Sequence, residues 1–194
     1  KQKTNSLSVG AFSWKMWATI LIIIVLDQFL KTWVKLNLSI GESILVFDWF
    51  LIHFVENNGF AFGLEFFGKT GKVLLTIVRI CFVVFIFKWV SKMIRRGVSQ
   101  KIIFPFILII SGALGNIIDS VFYGFFYDYA PLFYGRVVDM FYFPLISGTY
   151  PEWFPFWGGE RFVFFKYIFN IADASITIGG GWLLLFYNSA ELKY

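Results

Sequence analysis

Apolar positions along this chain gather in four long, nearly unbroken runs, at residues 14–36, 72–90, 102–123 and 166–188. A helix that crosses a bilayer needs about 20 mostly apolar residues, so the pattern predicts four transmembrane helices. The first run is too long for a cleaved signal peptide, and no small-x-small site follows it. Pro105 falls near the start of the third run, where a missing N–H does little harm. In the segment 39–71, short β-type runs at 43–47 and 50–55 precede Asn58-Gly59-Phe60-Ala61-Phe62-Gly63. They predict a small β-sheet resting on the membrane surface. The segment 123–165 is rich in Tyr, Phe, Trp, Pro and Gly, too aromatic for a solvated linker. It predicts a loop and helix flap lying in the interface. No internal repeat is visible, and residues 1–194 read as a single integral membrane α-helical domain.

Composition agrees with lipid as the main solvent. Hydrophobic residues make up 58% of the chain and charged ones 15%, and the mean hydropathy is +0.72. A soluble domain carries about 25% charged residues and could not hide this much apolar surface. The 27 Phe and 8 Trp suit broad interfacial regions. The formal charge of +5 does not point to nucleic acid, because the bases cluster at the membrane edges. Lys1, Lys3 and Lys15 precede or open the first run, and Lys88, Lys92, Arg95, Arg96 and Lys101 lie around the linker between the second and third. Glu42, Asp48, Glu56, Glu65, Asp128, Glu152 and Glu160 fall on the opposite side. The positive-inside rule then places both termini in the cytoplasm and the two long segments outside. Cys81, the single cysteine, excludes an internal disulfide and reads as a small packing residue. His53 reads as a sheet residue, and no metal or cofactor motif occurs.

Carboxylates inside or at the edge of a span are costly and are functional candidates by default. Asp27, Asp119, Asp139 and Asp173 qualify, and the run directions put them at similar depth near the outer interface. Asp27 has Lys31 four residues on, so an ion pair along one helix face supplies a structural role. Asp119 follows Gly112, Ala113 and Asn116, small and polar positions that let a second helix approach and bond across. Asp139 lies in the apolar run Gly135-Arg136-Val137-Val138-Asp139-Met140-Phe141, with no lysine at helical spacing. Asp173 has Asn170 three residues before it on the same helix face. Two carboxylates sharing a poorly solvated site hold one proton between them and can serve as base and acid together. A helix cap or network role for each aspartate stays open at this point. So do a non-catalytic lipid or peptide scaffold and, disfavoured by the missing repeat, a proton-coupled transporter relaying through Asp27, Asp119 and Asp173.

Five blocks in order resemble the lipoprotein signal peptidase (signal peptidase II) family: Leu26-Asp27-Gln28-Phe29-Leu30-Lys31; Asn57-Asn58-Gly59-Phe60-Ala61-Phe62-Gly63; Gly112-Ala113-Leu114-Gly115-Asn116-Ile117-Ile118-Asp119; Val137-Val138-Asp139; and Phe169-Asn170-Ile171-Ala172-Asp173-Ala174-Ser175-Ile176. The resemblance implies an intramembrane aspartic endopeptidase of the bacterial inner membrane. Its substrates would be diacylglyceryl-modified prolipoproteins, cleaved just before the lipidated cysteine. It implies Asp139 and Asp173 as the catalytic pair, and Asn57, Asn116 and Asn170 as substrate-binding residues. Asp27, Lys31 and Asp119 would support structure, membrane lipids would surround the enzyme, and globomycin-type cyclic peptides would inhibit it. No cofactor or metal is implied. The family usually has Arg after the aspartate of the third block, where this chain has Ser120. Arg136 is the candidate to replace that cation at the substrate. The stretches 122–135 and 143–165 look longer than the family's outer loop, which predicts a larger flap above the aspartates. In it, Trp153, Phe154, Phe156 and Trp157 are candidates for contact with lipid or with the diacylglyceryl chains.

Overall fold

The computed structural model describes residues 5–58 and 68–186. Gly59–Gly63 of the second block, Glu65, Lys1, Lys3 and the end of the fourth apolar run lie outside the described residues. The elements run α1 (Asn5–Asn37), β1 (Ser43–Phe47), β2 (Phe50–Asn57), α2 (Gly68–Arg95) and α3 (Gln100–Ile118). A π-helical turn (Asp119–Tyr123) and the short α4 (Gly124–Phe126) extend α3. There follow β3 (Val137–Tyr142), β4 (Ile146–Thr149), β5 (Arg161–Phe164), β6 (Ile168–Phe169) and α5 (Ile171–Phe186). Two compact units form: the described residues of Lys1–Leu30, Asn57–Val137 and Ile171–Tyr194, and those of Lys31–Glu56 and Val138–Asn170.

The first unit is helical. Three stretches, Trp14–Asn37, Thr70–Arg95 and Gln100–Phe126, are long and apolar enough to cross a membrane. α3 is the central one: 72% of its apolar window is buried, against 22% for α1 and α2. Met16 and Ile20 of α1, Val83, Ile86 and Val90 of α2, and Ile103, Phe106 and Ile110 of α3 form the core. The outer faces of α1 and α2 remain apolar, as lipid requires. Cys81 lies on such a face and is exposed, which corrects its reading as a packing residue. In a bilayer an apolar residue need not be interior.

Helix ends differ from the apolar runs, because hydropathy marks lipid depth and not backbone geometry. α1 and α2 begin before, and α2 ends beyond, the runs that announced them. α3 starts two residues earlier than its run, with the Ser99 hydroxyl accepting the Lys101 N–H at 3.4 Å. Pro105 therefore lies in the second turn, where it removes a helical bond to the Lys101 carbonyl. The fourth run was expected to be helical from Lys166. Instead Ile168 and Phe169 pair with β3, and the helix starts at Ile171. α5 is described over 16 residues, shorter than the other three.

The second unit holds a four-stranded sheet ordered β1-β2-β3-β6 and a separate hairpin of β4 and β5. β1 and β2 are antiparallel, with Ser43 opposite His53 and a bulge between Leu45 and Phe47. His53 is a sheet residue, its Nδ1 2.6 Å from the Ser43 hydroxyl. Rings cover one side of this sheet: Phe50 stacks on Phe143 with centroids 4.7 Å apart, and Phe143 on Phe169 at 5.7 Å. Lys35, in the last turn of α1, pairs with Glu56.

Candidate functional site

Close approach of α3 and α5 begins with glycine. A Cβ on Gly112 would collide with the Ala172 carbonyl oxygen. One on Gly115 would lie 2.7 Å from Asp27 Oδ2 and 3.2 Å from the Ala172 Cβ. With those atoms absent, the first turn of α5 lies against α3 and α1. An opening helical turn has backbone N–H groups with no partner inside the helix. The Ala172 N–H donates to Asp27 Oδ1 at 2.9 Å, so a carboxylate from α1 caps the positive end of α5. One residue on, Asp173 Oδ1 accepts from Asn116 Nδ2 of α3 at 2.7 Å. Asp173 is half-buried and Asn116 is buried.

Gln28 joins the buried carboxylates around this turn. Its Nε2 donates to Asp119 Oδ1 at 2.8 Å and lies 3.2 Å from both Asp27 Oδ2 and the Gly115 carbonyl. Its Oε1 accepts from the Tyr123 hydroxyl at 3.1 Å. Asp27 and Asp119 are at most 1% exposed. The π-helical turn that follows α3 breaks the regular ladder and turns carbonyls outward. The returning chain satisfies them: Phe133 N–H donates to Val121 O at 2.9 Å and Gly135 N–H to Ser120 O at 3.0 Å. A Cβ on Gly135 would collide with the Asp119 carbonyl. Ser120, where an arginine was the expectation, is buried and donates to the Asn116 carbonyl at 2.9 Å. Arg136 is exposed; its guanidinium carbon lies 5.8 Å from the Tyr129 ring centre, and its backbone N–H donates to the Tyr129 hydroxyl at 2.7 Å.

In the second unit, the β3–β6 pairing places Phe141 opposite Phe169. Asn170 follows directly and is fully buried. Its Nδ2 donates to Asp139 Oδ1 at 2.6 Å and to the Val138 carbonyl at 3.2 Å. Asp139, the third residue of β3, is 4% exposed. Three of the four aromatics of the flap divide into packed and projecting rings. Phe154 stacks on Tyr150 at 5.0 Å, and Tyr150 meets Phe162 at 4.8 Å. Trp153 and Phe156 instead project, 79% and 93% exposed.

Of the residues the sequence singled out, Asn116, Asp173, Asp27 and Asp119 gather in the first unit, while Asp139 and Asn170 bond in the second. Lys31 is fully buried, and Asn57 is the half-buried last residue of β2. Sequence reasoning missed Gln28, Tyr123 and Lys72. Lys72 is buried in α2 with its Nζ 3.3 Å from Asn58 Oδ1. The available signal for Gln28 and Lys72 was the general cost of a strongly polar side chain within a span, applied above to carboxylates alone.

A family model described as Signal peptidase (SPase) II matches residues 19–188. A lipoprotein signal peptidase of Porphyromonas gingivalis is 45% identical over 88% of this chain and 81% of its own length. That of Amoebophilus asiaticus is 38% identical over 89% and 77%, and that of Pelodictyon phaeoclathratiforme 37% identical over 87% of each. A bacterial membrane enzyme solved in meso at 2.3 Å has a similar fold, with a TM-score of 0.62 and 24% identity over 93% of both chains.

Proposed function

This chain belongs to the signal peptidase II family, membrane-embedded aspartic proteases that remove signal peptides from prolipoproteins, and from that membership we propose that Asp139 and Asp173 are its catalytic pair. The observation that carries the reading is the matched treatment of the two carboxyls. Each accepts a short bond on one oxygen from a buried asparagine amide, at 2.6 Å from Asn170 and 2.7 Å from Asn116. An amide is a neutral donor, so it orients a carboxyl in either protonation state. An acid–base pair that exchanges its proton each turnover needs that property. One aspartate takes a proton from the attacking water while the other protonates the scissile carbonyl oxygen. The leaving amine then receives a proton and the pair is restored.

The substrate is a prolipoprotein bearing a diacylglyceryl group, cut just before the lipidated cysteine. Peptide bonds in an apolar helix are shielded by their own hydrogen bonds, so the helix must unwind near the interface for water to reach it. Asn57, Asn116 and Asn170 then supply polar partners to the freed backbone, and exposed Arg136 supplies the cation that Ser120 does not. Asp27, Lys31 and Asp119 hold the helices. Residues 1–194 act as one membrane domain of four spans in the bacterial inner membrane, α5 included. Both termini are cytoplasmic, as the distribution of lysine and arginine supports. The segment 123–165 forms the outer flap, and globomycin-type peptides occupy the site.

Asp139→Asn and Asp173→Asn test the pair. Each purified variant is expected to melt with the parent and to lose cleavage of a lipidated prolipoprotein by about 10²-fold or more. Cleavage retained by either variant would remove that aspartate from the mechanism.

A further inference from the structure

The first unit carries a groove that the protease chemistry does not use. A cavity of about 550 Å³ opens between the 14–22 stretch of α1, the start of α3 and Trp182 of α5. Ile107 forms a buried floor, and Ile22 and Phe104 form exposed apolar walls. Among the described residues, Lys15 and Lys101 are the charged residues of the lining, both exposed, and the lining includes no carboxylate. Positive charge is reinforced there by the first turn of α3, whose backbone dipole points its positive end toward the same rim. From Lys15 to Ile22 the trough descends seven residues of helix, about 10 Å at 1.5 Å per residue. A charged rim thus leads into apolar depth on the side of the protein where its lysines and arginines collect.

We propose that this groove binds an anionic phospholipid, its phosphate at Lys15 and Lys101 and one acyl chain along Ile22 and Phe104. Any trough facing lipid is filled by some acyl chain; the two ammonium groups select the head group. A soluble anion would answer the lysines and leave the apolar walls uncovered. The chemistry therefore requires charge and hydrocarbon in one molecule. The lining includes neither Asp139 nor Asp173, so failure of this site leaves the proposed catalytic pair untouched.

Native mass spectrometry of the purified full chain tests this, with phosphatidylglycerol as probe, phosphatidylcholine as the zwitterionic control and inorganic phosphate as competitor. The parent is expected to retain phosphatidylglycerol about tenfold better than phosphatidylcholine. Lys15→Gln with Lys101→Gln should erase that preference, and Lys15→Arg with Lys101→Arg should keep it. Ala18→Phe, which fills the lining without touching a charge, should lower retention of both lipids. Undiminished preference in the glutamine variant overturns the proposal, as does unchanged retention in Ala18→Phe. Displacement of phosphatidylglycerol by millimolar phosphate would reassign the rim to a soluble anion and overturn it equally.

Discussion

Gln28 brings one side-chain amide to two buried carboxylates and one phenol. Asp119, Asp27 and Tyr123 all take part in bonds to it. A buried acceptor left without its donor costs about 1–3 kcal/mol. Gln28→Leu is therefore expected to destabilise the protein by about 3 kcal/mol, read as a lower melting temperature in detergent. Tyr123→Phe removes the neutral bond to Gln28 and should cost about 1 kcal/mol. Equal melting of Gln28→Leu and the parent would show that the amide is dispensable. The partnerships with Gly115, Asp119 and Tyr123 were not legible locally, since those residues lie 87 to 95 positions away. The sequence could mark the carboxylates as expensive, but not which donor answers each.

The helix pair α3 and α5 depends on where glycine falls around α5, and adjacent glycines there have opposite duties. A Cβ at Gly179 would lie 2.5 Å from the Pro105 carbonyl oxygen, whereas Gly180 has nothing within 4 Å. Gly179→Ala should push the helices apart and destabilise by about 1–3 kcal/mol. Gly180→Ala meets no obstacle and gains helix propensity, about 0.5–1 kcal/mol. Thermal melting of the two single variants should move in opposite directions; movement in the same direction would refute the packing described for Gly179. At this scale much was readable in advance. The run 43–47 became β1 with the same ends, and the small positions Gly112 and Ala113 announced a close helix contact. The start of α5 was not readable, because Ile168 and Phe169 are apolar enough for a helix and were claimed by the edge of β3 instead.

At the scale of the whole molecule, the connection between β4 and β5 carries two large exposed rings, Trp153 and Phe156. Its turn is internally fixed: Tyr150 N–H donates to Glu160 O at 2.9 Å and Gly159 N–H to Tyr150 O at 3.0 Å. Phe156 has a φ of 71°, a conformation unfavourable for a bulky residue, and its ring is held outward. Trp153→Ser with Phe156→Ser removes no buried contact, so the melting temperature should hold. Burial of one large aromatic is worth about 1.5–3 kcal/mol. The KM for a lipidated substrate in vesicles should therefore rise about tenfold while kcat stays near the parent value. An unchanged KM would assign the two rings no part in substrate capture.

Length and continuity of the apolar runs, the clustering of lysine and arginine between them, and the short β-type runs are local properties, and the chain by itself determined them. The apolar runs follow from the cost of leaving polar groups in hydrocarbon, which acts on each segment separately. Which amide holds which carboxyl, which glycine admits a neighbouring backbone, and where a strand takes residues from a helix were decided only in three dimensions. Each depends on atoms far apart in the sequence competing for the same space or the same proton donor, and no single segment carries that information.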